Sequence, residues 1–99
     1  MKNPIFDPHL YKVFSAFSGR VKPEVVMHLH KQGKSSKRDI AHATFNSMRG
    51  VNQPLKDLEE KGLIQSKEYG DMKAYWLVDE LLIDILDTVA WYMQEEEAK

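Results

Sequence analysis

Three features of this 99-residue sequence predict one mainly α-helical domain carrying a single small β-hairpin. Apolar residues recur at intervals of three and four in several separate stretches, the period of helices that bury one face. Between residues 63 and 78 that period gives way to strand-forming residues on either side of Gly70-Asp71. The length suits one domain, and its core is small enough that burial against a partner would add to it.

Pro4 and Pro8 mark an irregular N-terminal arm over residues 1–8, ahead of a core expected to span 9–79. From His9 to Ser18, Leu10, Val13, Phe14 and Phe17 fall at i, i+3, i+4 and i+7, and Gly19 is a natural stop. A second helix starts near Pro23, where the missing N–H costs nothing in a first helical position; Val25, Val26 and Leu29 form its buried stripe and Gly33 ends it. Ser36-Lys37-Arg38-Asp39 approximates a capping box and opens a short third helix carrying Ile40, Ala41 and Ala43. Met48, Val51, Leu55 and Leu58 are spaced 3, 4 and 3, a helix over about 48–61 closed by Lys61-Gly62. Pro54 leaves two starting points for it: Ser47 with a kink, or Gly50–Asn52 with Pro54 in the first turn. Residues 63–69 and 73–78 then pair as a hairpin. Asp79 caps a last helix over 80–94, whose wide apolar face carries Leu81, Leu82, Ile85, Leu86, Val89, Tyr92 and Met93. The acidic tail at 95–99 is expected to fray.

Helix, helix, short helix, turn, helix, hairpin and long helix is the order of a winged helix-turn-helix with an added C-terminal helix. Ile40-Ala41-His42-Ala43 and the stretch from Val51 to Ile64 resemble winged-helix transcription regulators of the ArsR and MarR type. Their recognition helix ends in L-x-x-L-x-x-x-G-L-[IV], which Leu55, Leu58, Gly62, Leu63 and Ile64 match; Tyr75-Trp76-Leu77 is similar to the end of their second wing strand. The resemblance spans about residues 22–90. It implies double-stranded DNA as partner and a homodimer built on the first and last helices. The expected interface residues are Leu10, Phe14, Leu82, Ile85, Leu86, Val89, Tyr92 and Met93. The sequence departs from the metal-sensing members, which use paired cysteines in the first motif helix or His and carboxylates on the last. Here there is no cysteine, and the last helix offers Asp79, Asp84 and Asp87 without a histidine, so no metal and no cofactor is expected.

Charge supports a nucleic-acid face independently. The formal net charge is −1, yet residues 1–56 hold ten Lys and Arg against three acids and residues 57–99 hold four against twelve. A phosphate backbone rewards cations clustered in this way, although two ordinary solvated surfaces of opposite sign would look the same. Off the apolar stripe of the fourth helix lie Arg49, Asn52 and Gln53, the side-chain types that read guanine and adenine in the major groove. Lys34, Ser36, Lys37, Arg38, Ser47 and Lys56 suit phosphates, with Lys67 and Lys73 flanking the hairpin tip.

Other functions find less support. His28 and His30 lie two apart on a helix and diverge, and neither His9 nor His42 has an evident partner in the sequence. No nucleophile–base arrangement, paired carboxylates or glycine-rich phosphate loop stands out, so an enzyme is not expected. No apolar run reaches the ~20 residues of a membrane span, and the N-terminus lacks a signal peptide's apolar stretch. A cytoplasmic protein, on the prokaryotic nucleoid, is the expectation. Two alternatives remain open at this level: a winged-helix module for protein contacts, and an architectural protein indifferent to DNA sequence.

Overall fold

The computed structural model describes residues 7–97, so the expected arm before Asp7 and the last two residues lie outside the described residues. The elements are α1 (Pro8–Ser15), α2 (Val21–Gln32), β1 (Ser35–Ser36), α3 (Lys37–Ala43), a 3-10 turn (Arg49–Val51), α4 (Asn52–Glu60), β2 (Ile64–Tyr69), β3 (Met72–Leu77) and α5 (Glu80–Glu97). This is the winged helix-turn-helix arrangement, mainly helical with an antiparallel hairpin and an added C-terminal helix.

Local chemistry accounts for most boundaries. The Asp7 carboxylate accepts from the His9 N–H at 2.8 Å, with Pro8 in the first helical position, so α1 begins inside the expected irregular arm. It ends at Ser15, earlier than Gly19, because the bonds Ala16→Val13, Phe17→Phe14 and Ser18→Ser15 tighten the chain into 3-10 geometry. Val13 and Ala16 are buried and Phe17 packs on the core, while Phe14 stands out into solvent. Ser36 caps α3 as expected, its Oγ accepting from the Asp39 N–H at 3.1 Å. Ile40 and Ala41 face inward, but Ala43 is exposed; the buried position in that turn is Thr44, whose hydroxyl donates to the Ile40 carbonyl. Asp79 caps α5 by accepting from the Leu82 N–H at 2.9 Å. That helix runs from Glu80 to Glu97.

Of the two starts weighed for α4, the later one is found. A 3-10 turn precedes it, and Pro54 occupies the first turn, where no intrahelical bond is lost. The change of period also explains Met48: three residues per turn before Asn52 takes it off the stripe, and it is 46% exposed. Gly62, at φ +74°, ends α4 while the Leu63 N–H returns to the Leu58 carbonyl and carries the chain into β2. The hairpin pairs Ile64 with Leu77 through Tyr69 with Met72. On its other edge β3 pairs with β1, Ser35 opposite Tyr75 and Ser36 opposite Ala74. Two serines carry no periodic signal, so this third strand has no counterpart in the sequence reading.

The core gathers Val25, Val26 and Leu29 of α2, Ile40 of α3, Val51, Leu55 and Leu58 below α4, Leu63 and Ile64 of the wing, and Leu82 and Leu86 of α5. No helix among the described residues is long and apolar enough to cross a membrane.

One residue contradicts its local preference. Phe45, in the turn between α3 and α4, adopts φ +56° and is 92% exposed. A side chain with a Cβ is strained there by about 1–2 kcal/mol, and exposure returns nothing in packing. Phe45→Asn is expected to raise stability by about 0.5–1 kcal/mol, because asparagine tolerates the left-handed region; denaturant titration measures it.

Candidate nucleic-acid interface

The helix-turn-helix seats α4 with Val51, Leu55 and Leu58 inward, which turns Asn52, Gln53 and Lys56 outward; all three are exposed, as is Arg49 in the turn before them. Among the described residues Arg49, Asn52 and Lys56 make no side-chain hydrogen bond or ion pair. The Ser47 hydroxyl accepts from the Gly50 N–H at 3.0 Å and so caps the turn that leads into α4. Gly50 fits closely there, since a Cβ would meet Asn46 Cβ and Ser47 Oγ at 3.3 Å.

A cleft of about 400 Å³ joins the start of α3 to the tip of the wing and is lined by Ser36, Lys37, Arg38, Met48, Asp71, Met72 and Lys73. Two sequence-distant segments therefore bring three cations, Lys37 and Arg38 from one and Lys73 from the other, to one concavity together with Asp71; the Lys73 ammonium also stands 5.5 Å from the Tyr75 ring. Lys34 and Lys67, expected beside them, are directed elsewhere. In the hairpin register Gln65, Lys67 and Tyr69 share a face with Trp76, Ala74 and Met72, opposite the face on which Ile64, Tyr75 and Leu77 join the core. The Lys34 ammonium lies on that outer face, donating to the Tyr69 hydroxyl at 3.0 Å and standing 4.6 Å from the Trp76 ring centroid; Lys67 stands 5.5 Å from the Tyr69 ring. The Lys34 hydrogen bond also holds the pKa of the Tyr69 phenol below its usual value, against the opposing effect of desolvation.

On α4, the Gln53 amide donates to Asp57 Oδ1 at 2.8 Å, and Lys22, in the first turn of α2, approaches Asp57 Oδ2 at 3.6 Å. The Gln53 hydrogen bond, with the Lys22 charge in support, holds the Asp57 carboxyl below its usual range against the opposing effect of desolvation. Asp57 had no place in the sequence reading, although its spacing of four from Gln53 is the signal for such a pair.

The two helices expected at a dimer interface divide their residues. Leu82 and Leu86 are buried in this chain's own core, which corrects their assignment to a partner: the inner sector of a broad face serves the monomer. Ile85 is half-buried against the same core and Leu10 is partly covered, whereas Phe14, Val89, Tyr92 and Met93 are exposed. Tyr11 and Trp91 are exposed beside them in sequence. Two histidines tie α5 to the body: His9 Nε2 lies 3.0 Å from Asp79 Oδ2, and His30 Nε2 lies 2.6 Å from Asp87 Oδ1. No three His, Asp or Glu among the described residues come together as a potential metal site.

This geometry is a winged helix-turn-helix with the polar face of α4 turned outward and a cleft lined by Lys37, Arg38, Lys73 and Asp71. No family model matches the chain, and no curated protein matches it by sequence. Solved structures do match. The antimony-specific transcriptional repressor AntR has a TM-score of 0.80 at 16% identity, covering 100% of this chain and 98% of that one. HlyU from Vibrio cholerae gives 0.79 at 13% identity, covering 90% and 94%. The homodimeric winged helix-turn-helix DNA-binding domain of a possible ArsR-family regulator from Mycobacterium bovis gives 0.72 at 20% identity, covering 89% and 81%. One of them is thus described as a possible member of the ArsR family, the type the sequence resembles, and at such identities the likeness establishes the fold.

Proposed function

We propose that the chain is a homodimeric transcription regulator that binds double-stranded DNA, with α4 in the major groove. The observation that carries this reading is that Lys37, Arg38 and Lys73 line one cleft, with Asp71 the single acid among them, while Asn52, Gln53 and Lys56 of α4 are exposed. In such a dock Arg49, Asn52 and Gln53 read base edges, while Ser36, Lys37, Arg38, Ser47, Lys56 and Lys73 hold the phosphate backbone. Lys34, Lys67 and Lys73 would each have to leave an aromatic partner to reach phosphate, so their contribution is expected to be smaller than that of Lys37 and Arg38. Two of the structural neighbours, a transcriptional repressor and a homodimeric DNA-binding domain, agree with this reading. Exposed aromatic residues on α1 and α5 provide the apolar surface for a two-fold pair.

Anisotropy of labelled random-sequence duplexes across a salt series, followed by sequencing of the bound fraction, tests it. Steeply salt-dependent binding that enriches a two-fold motif is the expected result. Binding that scarcely responds to salt points instead to a protein-contact module, and salt-dependent binding without a motif to an architectural role. The double variant Lys37→Ala/Arg38→Ala is expected to flatten the slope of log K against log salt by about two while leaving the selected motif unchanged.

A further inference from the structure

We infer that Asp57 is a specificity-positioning residue: it fixes the orientation of the Gln53 amide so that position 53 accepts adenine and rejects guanine. This inference rests on the DNA-binding reading above and adds to it a residue that would touch no base. An ionised carboxylate can only accept hydrogen bonds, so whichever end of the Gln53 amide meets Asp57 Oδ1 at 2.8 Å must be the NH2 group. The amide carbonyl cannot rotate into that place without setting oxygen against oxygen. Lys22 approaches the second carboxylate oxygen at 3.6 Å, holding it from the neighbouring helix and keeping the group charged.

With one N–H committed to Asp57, Gln53 has one carbonyl acceptor and one N–H donor left. In the major groove adenine offers N6–H2 as donor and N7 as acceptor, the complement of that pair. Guanine offers two acceptors, O6 and N7, and would need both N–H groups of the amide. An unrestrained glutamine could supply both; one held by Asp57 cannot. The exposed face on which Gln53 stands leaves its remaining groups open to a groove. Helix stabilisation alone would also explain an i, i+4 bond of this kind, but would leave base preference untouched by Asp57.

The test is motif selection from randomised duplexes by the full chain and by the Gln53→Ala, Asp57→Asn and Asp57→Glu variants, with circular dichroism melting as a control for folding. Gln53→Ala marks the motif position that depends on Gln53. There the wild type is expected to prefer adenine over guanine by about tenfold or more, within the range of one good bidentate contact. Asp57→Asn, close to isosteric, allows the amide to turn and is expected to reduce that preference to about threefold or less with other positions unchanged. Asp57→Glu keeps an acceptor-only partner and is expected to retain it. A motif whose Gln53-dependent position keeps its adenine preference in Asp57→Asn overturns the inference alone, as does a motif with no Gln53-dependent position. A wild-type chain that binds duplexes without enriching a motif overturns this inference and points to the architectural role, and one that binds no duplex overturns the DNA-binding reading beneath it as well.

Discussion

Leu58→Ala is expected to lower the stability of the fold by about 3 kcal/mol, within the range of about 2–5 kcal/mol for a buried leucine. In a domain of this size that appears as a fall of roughly 10–20 °C in Tm, measured by calorimetry at fixed protein concentration. Leu58 is 0% exposed and belongs to the core cluster that joins α4 to the rest of the chain. Its carbonyl also receives the Leu63 N–H that closes the Gly62 turn. A cavity there loosens α4 at the junction with the wing, so DNA affinity should fall together with stability. The same truncation at exposed Met48 has no core to open and should change Tm by no more than a few degrees. Equal losses at the two sites would contradict the placement of α4.

The difference between those two methionine and leucine positions shows where sequence reasoning succeeds. Leu55 and Leu58 belong to a regular helix, and periodicity alone placed them inward. Met48 belongs to the same numerical pattern but precedes a 3-10 turn, and the period that made it look buried does not apply there. Features set by one residue and its immediate neighbours were legible: the Ser36 and Asp79 caps, the Gly62 stop, and the Gly70-Asp71 turn. Features set by distant neighbours were not. The ladder of β1 on β3 is backbone pairing between segments some forty residues apart, and serine carries no mark of it. Lys34 reads as a surface cation until Tyr69 and Trp76 of the wing are brought to it. His9 and His30 likewise acquire carboxylate partners only when α5 packs back on α1 and α2.

The candidate site follows the same division. The side-chain types on the outer arc of α4 could be named from the sequence, because a helix fixes which residues oppose its buried stripe. Which end of the Gln53 amide faces outward depends on Asp57, and Asp57 is in turn approached by Lys22 from another helix. On α5 the sequence showed an apolar face wider than one contact requires but not which sector turns inward. Burial of Leu82 and Leu86 identifies that sector and leaves Val89, Trp91, Tyr92 and Met93 exposed.

That remainder leads to the second large expected effect. In the proposed dimer, Phe14→Glu/Tyr92→Glu is expected to convert the chain to a monomer by sedimentation at concentrations where the wild type is paired. Phe14 is 54% exposed and Tyr92 59%, and Trp91, next to Tyr92 in sequence, is 61% exposed. Two-fold symmetry makes each substitution count twice, and burying one large apolar side chain is worth about 1.5–3 kcal/mol. The double change should therefore weaken pairing by at least a hundredfold. The introduced carboxylates add repulsion, since α5 already carries Asp84, Asp87 and Glu95. Affinity for a two-fold DNA site should fall with the dimer, because two recognition helices must be held one helical turn apart to engage both half-sites. Salt-dependent binding of a single half-site should survive, since Lys37, Arg38 and Lys73 lie in a cleft that neither substitution touches. Loss of both activities together would mean that the variant no longer folds, which its melting curve reports separately. A wild-type chain that sediments as a monomer at every concentration would remove the two-fold arrangement and leave one recognition helix acting alone.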